Sequence, residues 1–410
     1  MTVELPRSTL DAEPPVRPAT AVWLCLLAAF LAAGALLTLL AWPKDAPTGT
    51  PWFWMCLVGF PLLGWCVLFG FRLHFYEDEM NRLTATADAR QREFEAAVAF
   101  GAEPLAVLHA AYLCAMRTGC ASGLILERDS VLVAHSPRPH LPPVRHSRLP
   151  LAEEVEPGGR YAEVFEAILG QLEMPLRALP PSVPLDVTLQ VSDGVDPAPL
   201  RHAWQTCWTA TGLHHVEASV LPATDGLMAL DAWLDETGGP ALERFRLFVA
   251  VQLHETPPQN SAEAAVALLL GWAPLAERLE LSAIATLHRP VAAAHGLADT
   301  IRTAALFGQI TPDALTHLWQ SGLQKAEKAA MLTEGSDIAL GAVQTDAFAG
   351  VHDIDAALGN PGVATPWLAA ALAVENARQR GEPQLIACRE STLCLAVVRP
   401  PAGPKEQETT

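Results

Sequence analysis

Cys207 is the residue best placed for covalent chemistry. It lies in a helical pattern between Thr206 and Trp208, with His214 and His215 a short way beyond it. A thiolate activated by a neighbouring imidazole can attack a carbonyl carbon and carry an acyl group. A cysteine on an apolar helix face is also ordinary core packing, and that reading carries more weight here. The other chemical residues are dispersed. His214-His215 is the one adjacent pair among thirteen histidines, and no C-x-x-C occurs among the eight cysteines, so a structural zinc site has little support. Five cysteines (Cys114, Cys120, Cys207, Cys388 and Cys394) fall outside the most apolar stretches, an odd set without framework spacing that suggests reduced thiols. G-x-S-x-G, the phosphate-binding P-loop and a strand-borne G-x-G-x-x-G are all missing. These residues assign no catalytic, cofactor-binding or metal-binding role. The net charge of −18 disfavours nucleic acid, which rewards basic patches.

The elements that would position a site alternate. Ala102–Thr118 reads as a helix containing Pro104. Leu124–Glu127 and Val131–His135 read as a hairpin about Arg128-Asp129, and Ser136–Pro150, with five prolines, reads as a loop. From Leu185 onward strands and helices take turns. Leu185–Val191, Val216–Leu221, Phe245–His254, Ala264–Leu270, Leu281–His288 and Ile338–Val343 read as strands. Pro197–Thr209, Asp225–Asp235, His295–Phe307, Pro312–Met331, Val351–Leu358 and Ala364–Arg380 read as helices, with Gly238-Gly239 as a stop signal. Gln384–Arg389 and Thr392–Val398 close as a hairpin. Phe245–His254 is near-continuously apolar, as in a strand buried on both faces. This alternation predicts a layered α/β body.

Ahead of that body lie two apolar runs, Ala21–Trp42 and Trp52–Leu73, split by the polar turn Pro43–Pro51. Each is long enough for a bilayer-spanning helix of about 20 residues. The first run is too long for a cleaved signal, whose apolar core spans about 7–15 residues. Neither run has the polar face that a helix of a soluble body would need. Trp23, Trp42, Trp52, Trp54 and Tyr76 stand near the ends, as interfacial aromatics do. A transmembrane hairpin is expected. Arg7 and Arg17 precede it, Arg72, Arg82, Arg90 and Arg92 follow, and the turn holds only Lys44, so the bias puts both ends in the cytoplasm. The expected organisation is a disordered tail at 1–20, the hairpin at 21–73, a connecting helix at 74–103, the α/β domain at 104–399 and a second tail at 400–410.

Three stretches carry a resemblance. Ala223-Thr224-Asp225-Gly226-Leu227-Met228-Ala229-Leu230 precedes the strand Phe245–His254. Ser261–Leu270 (SAEAAVALLL) is Ala-rich. Leu358-Gly359-Asn360-Pro361-Gly362-Val363-Ala364-Thr365 leads into an Ala-rich helix and a terminal hairpin. Their order and spacing over 185–398, most firmly 245–398, resemble the C-terminal half of thiolase-fold condensing enzymes, the β-ketoacyl synthases. The resemblance implies a thiolase-like α/β body. It also implies a Cys nucleophile at a helix N-terminus, where the dipole stabilises thiolate, and two polar residues, usually histidines, that stabilise an enolate oxyanion. The nucleophile position falls at Thr224 or Asp225, the first histidine position at Gln344 or Thr345, and the second on Asn360. All three depart from the pattern. A carboxylate cannot hold and release an acyl chain as a thiolate does.

The expected function is therefore a non-catalytic adaptor held at the cytoplasmic face of a bacterial inner membrane. Its partners would be the lipid bilayer and other proteins, with a homodimer as the resemblance implies. The architecture is similar to membrane-anchored accessory proteins of secretion systems, type VI among them. The alternative is an acyl-processing enzyme of lipid or polyketide metabolism that uses Asp225, Asp346 or Cys207. A pore is the weakest reading, because the apolar runs hold no ionisable residue away from their edges.

Overall fold

The computed structural model describes residues 5, 15–136, 142–151, 157–236, 242–294 and 296–401. The tail readings at 6–14 and 402–410, the glycine stop at 238–239 and part of the 136–150 loop lie outside them. The chain divides into two compact units, Glu4–Ala97 and Val98–Thr410.

The first unit is a helical hairpin. Helix α1 spans Thr20–Ala41. After the turn come α2 (Pro51–Trp54), a π-helical turn (Met55–Gly59) and α3 (Phe60–Gly101). Pro61 has no N–H to offer the preceding turn, and the π-turn just before it absorbs the misfit. The two arms touch closely. The Trp65 indole donates to the Trp23 carbonyl at 2.9 Å, the rings of Trp23 and Phe69 meet edge to face at 5.2 Å, and Gly34 leaves room for the Pro61 ring. Both arms are long and apolar enough to cross a membrane; only 6% and 11% of their most apolar windows are buried. The connecting helix expected at 74–103 is the uninterrupted continuation of α3.

The second unit begins with β1 (Leu105–Leu113), α4 (Ala121–Leu126), β2 (Val133–His135), β3 (Val144–Ser147) and α5 (Pro157–Arg177). Then follow β4 (Leu185–Val191), α6 (Pro197–Ala210), β5 (Ala218–Leu221), α7 (Met228–Leu234), β6 (Phe245–Gln252), β7 (Ser261–Ala262) and β8 (Ala264–Trp272). Next are α8 (Ala273–Arg278), β9 (Ala285–Leu287), β10 (Val291–Ala292) and α9 (Leu297–Phe307). The chain closes with β11 (His317–Ser321), α10 (Lys325–Asp337), β12 (Val351–Asp353), α11 (Ile354–Ala357), α12 (Thr365–Arg380), β13 (Gln384–Arg389) and β14 (Leu393–Arg399).

The fold is duplicated. In the first half β5, β4 and β6 are neighbours and parallel, and β8 returns antiparallel to β6. In the second half β12, β11 and β13 are neighbours and parallel, and β14 returns antiparallel to β13. Each half thus repeats strand, helix, strand, helix and hairpin. The hydrogen-bonded order is β12-β11-β13-β14-β9-β1-β8-β6-β4-β5, with β10 on β14; β2-β3-β7 form a second small sheet. Three cores give the layers. One packs α5 and α6 on the first half, one packs α9 and α10 on the second, and a central core joins strands of both halves through α7 and α12. Helix α12 is buried continuously from Thr365 to Val374, which explains why its apolar residues show no single face. This is the layered α/β body expected.

Several local expectations fail. Ala102–Thr118 is not a helix: its centre is β1, whose helix-compatible Leu and Ala residues are overridden by pairing with β8 and β9. Leu124–Glu127 and Val131–His135 do not pair; the first lies mostly in α4, and β2 pairs instead with β3, inside the stretch read as a loop. The helix expected over Pro312–Met331 is broken by β11, which is buried at every residue. Ile338–Val343 is not a strand. It is a run of turns, apolar because Leu340, Ala342 and Val343 pack into the core under α9 and α10, with the Ala342 amide bonded to the Leu315 carbonyl at 2.7 Å. The strand comes later, as β12, so only Ile354–Ala357 of the expected Val351–Leu358 helix is helical.

Candidate functional site

The duplicated topology brings two loops to the C-terminal ends of the parallel strands. One leads from β5 into α7, the other from α11 into α12. At each, a side chain from the far half supplies an acceptor to backbone amides. Glu390, in the β13–β14 turn, accepts from the Leu227 amide at 2.6 Å and the Met228 amide at 3.5 Å. Gln252, at the end of β6, accepts from the Val363 amide at 3.2 Å through Oε1. Both approaches need glycine. A Cβ on Gly226 would enter the Glu390 carboxyl, and one on Gly362, which has φ +54°, would enter the Gln252 amide. A third glutamine ties the loops together. Gln190, near the end of β4, donates through Nε2 to the Pro222 carbonyl at 2.9 Å and to the Asp225 carbonyl, while its Oε1 accepts from the Trp367 indole at 2.6 Å. Trp367 stacks on Phe248 with ring centres 4.8 Å apart.

Burial pushes the Glu390 carboxyl up to about 7, against the pull of the two amides that it accepts from. Cys388 and Cys394 stand opposite one another on β13 and β14, flanking the same turn. Both are fully enclosed, and burial holds their thiols far above the usual range, so neither supplies a thiolate.

The residues expected at a site separate into two groups. Thr224 and Asp225 are exposed on the β5–α7 loop; the Thr224 hydroxyl donates to the Asp225 carboxylate at 3.2 Å, and only the Asp225 backbone engages Gln190. Asn360 lies on the matching loop of the second half. Its Oδ1 accepts from the Gly362 amide at 2.8 Å and the Thr365 hydroxyl at 3.2 Å, so it caps its own turn. Gln344 and Thr345 are elsewhere. They precede β12, at the opposite end of the parallel strands, where Thr345 accepts from the Gly350 amide and donates to the Ala342 carbonyl, each at 2.9 Å. Asp355 lies two residues beyond β12, at the strand ends. It accepts from the Ser321 hydroxyl at 2.6 Å and the Gly322 amide at 2.8 Å, and burial raises its carboxyl although Lys328 lies 3.8 Å away.

Cys207 and the histidine pair do not assemble. The Cys207 thiol faces the Ala162 carbonyl at 3.6 Å and is raised by burial, His215 contacts Gln205 at 3.0 Å, and His214 contributes its carbonyl to the Trp208 indole. Among the described residues, no group of three or more His, Cys, Asp or Glu side chains is placed to hold a metal ion. Sequence reasoning missed Gln190, Gln252, Glu390 and Asp355. The signal was faint but present: Gln190 and Gln252 are polar residues at the C-terminal ends of parallel strands, where an α/β sheet places its ligands and its polar contacts.

No family model matches the chain, and no curated protein matches its sequence. Solved structures do. A ketosynthase from module 6 of the bacillaene synthase of Bacillus subtilis 168 superposes with a TM-score of 0.54 at 11% identity, covering 74% of this chain and 71% of its own. A ketosynthase from module 1 of the bacillaene synthase of Bacillus amyloliquefaciens FZB42 gives 0.53 at 12% identity, over 74% and 77%. An oxazolomycin ketosynthase domain from Streptomyces albus JA3453 gives 0.53 at 12%, over 74% and 75%. The body of this chain has the duplicated, layered α/β fold of the ketosynthases.

Proposed function

We propose that this chain is a membrane-anchored, non-catalytic ketosynthase-like adaptor. The observation that carries the reading is Glu390. The resemblance puts a thiolate at the amides that open α7, and a side-chain carboxylate already occupies them. The exposed residues on that loop, Thr224 and Asp225, cannot form a stable acyl intermediate of the thioester kind. With the chemistry removed, the surface around the strand ends is left to bind protein partners. The hairpin is proposed to cross a bacterial inner membrane with both chain ends in the cytoplasm, which the Lys/Arg distribution supports. Secretion-apparatus subunits are the partners expected on architectural grounds, an analogy of fold and anchor rather than of site.

The test uses the full chain in mild detergent. Malonyl-thioester decarboxylation and acyl transfer are measured with saturating substrate, and no product above the uncatalysed rate is expected. Turnover that survives purification of the Glu390→Gln variant alongside the unmodified chain would overturn the reading. Affinity capture from native membranes, followed by mass spectrometry, identifies the partners; recovery of acyl carrier protein in place of secretion-apparatus subunits would favour the enzymatic alternative.

A further inference from the structure

Away from the strand ends, a cleft of about 410 Å³ opens between β1, the loop entering α4, helix α5 and the C-terminal half of α12. Small-molecule sites occupy roughly 300–1,000 Å³. One side of the cleft is apolar, formed by Ala110, Ile284, Ala371 and Val374. Another is rigid and polar. The Tyr112 hydroxyl accepts from the Gly119 amide at 3.1 Å and the Ala121 amide at 3.3 Å, and donates to the Glu375 carboxylate. The second oxygen of that carboxylate accepts from both the amide and the hydroxyl of Ser122. Burial and the adjacent carboxylate push the Tyr112 hydroxyl well above its usual range, so it stays a donor. Three donors thus hold Glu375 in place, committed to the protein on its own side of the cleft.

Arg378 lies one turn further along α12 and lines the same cleft. Among the described residues, no carboxylate or carbonyl pairs with its guanidinium. Arg378 is the one cationic side chain among the residues that line the cleft. A half-apolar, half-rigid cavity with one uncommitted bidentate donor is complementary to an anion with an apolar body.

We infer that this cleft binds a small organic monocarboxylate, held at its charged end by Arg378 and along its body by Ala110, Ile284, Ala371 and Val374. The planar guanidinium matches a carboxylate with two parallel hydrogen bonds, and Gln171 and Gln379 also line the cleft. This site is separate from the Glu390 and Gln252 contacts and does not depend on the adaptor reading.

The probe is 4-fluorobenzoate, followed by fluorine NMR on the full chain in mild detergent, with the neutral 4-fluorobenzyl alcohol as its partner. The expected result is saturable broadening with 4-fluorobenzoate, at least tenfold weaker for the alcohol. Arg378 is exposed, so Arg378→Gln leaves the fold intact, and it is expected to weaken 4-fluorobenzoate at least tenfold while Arg378→Lys recovers part of the loss. Glu390→Gln is expected to leave binding unchanged. Absence of saturable binding, equal affinity for the alcohol, equal affinity in Arg378→Gln, or loss of binding in Glu390→Gln would each overturn the proposal.

Discussion

Replacing Glu390 by glutamine should change how stability depends on pH. In the folded chain burial raises this carboxyl from its ordinary 4.5 to about 7. Between those values the folded state binds more protons than the unfolded state, so this residue's contribution to stability falls as pH rises through the window. At pH 5 the folded side chain is almost wholly protonated and about three-quarters of the contribution remains. At pH 8 it is ionised and the cost of the enclosed charge is fully felt. One unit is worth 1.36 kcal/mol, so the change between pH 5 and pH 8 comes to about 2.5 kcal/mol. Glutamine keeps a neutral acceptor for the Leu227 amide and cannot titrate. The stability of Glu390→Gln relative to the unmodified chain should therefore improve by about 2.5 kcal/mol from pH 5 to pH 8. Urea unfolding of both proteins in the same detergent, at both pH values, measures this directly, because every other titrating group cancels in the difference. A difference that stays constant to within about 0.5 kcal/mol would show that Glu390 is solvated rather than enclosed, and the reasoning about the α7 amides would fall with it.

Other perturbations test the same architecture. Gly226→Ala drives a methyl into the Glu390 carboxyl and should cost about 1–3 kcal/mol in a urea titration, with most of the loss removed in a Gly226→Ala/Glu390→Ala double variant. Arg289, buried with its guanidinium 2.8 Å from Asp231 and 2.6 Å from Asp235, holds α7 from the other end; Arg289→Met removes the cation beside the buried Asp231 carboxylate and should cost about 3–5 kcal/mol, read as a fall in urea midpoint. Gly34→Val closes the space that Pro61 occupies in the hairpin and should splay its arms, seen as loss of a disulfide engineered between α1 and α3. Single cysteines at Thr48 and Thr86, in a chain whose own cysteines are replaced, should label differently with an impermeant maleimide: Thr48→Cys in intact spheroplasts, Thr86→Cys only after lysis. The reverse pattern would invert the proposed topology.

The layered body and its hairpin were legible because they rest on strong, long patterns. Apolar runs such as Phe245–Gln252 and Ala264–Trp272 are buried on both faces and read as strands without help. Short strands were not legible. His317–Ser321 is five residues in a stretch of good helix formers, and only its place between β12 and β13 makes it a strand. The misread strand also moved an expected position. With Ile338–Val343 taken for a strand, the position beyond it fell on Gln344 and Thr345, which precede β12 at the opposite end of the parallel strands. Glu390 was invisible for a different reason. Nothing local to Arg389-Glu390-Ser391-Thr392 marks a functional carboxylate, and its partners, Leu227 and Met228, lie more than 160 residues away in the chain.

The crossed contacts between the halves have a consequence for synthesis. The amides that open α7 receive their acceptor from the β13–β14 turn, and the loop before α12 receives its own from β6. During translation the hairpin leaves the ribosome before the body, whereas the residue that completes the first repeat is made after most of the second repeat. With the hairpin inserted as proposed, the tethered chain carries an unfinished first repeat, with exposed apolar strand edges, until the hairpin β13–β14 emerges. Nascent copies held side by side on a membrane are the ones most prone to exchange that last hairpin with a neighbour, and ribosome spacing and chaperone access near the membrane would govern the yield of correctly closed protein.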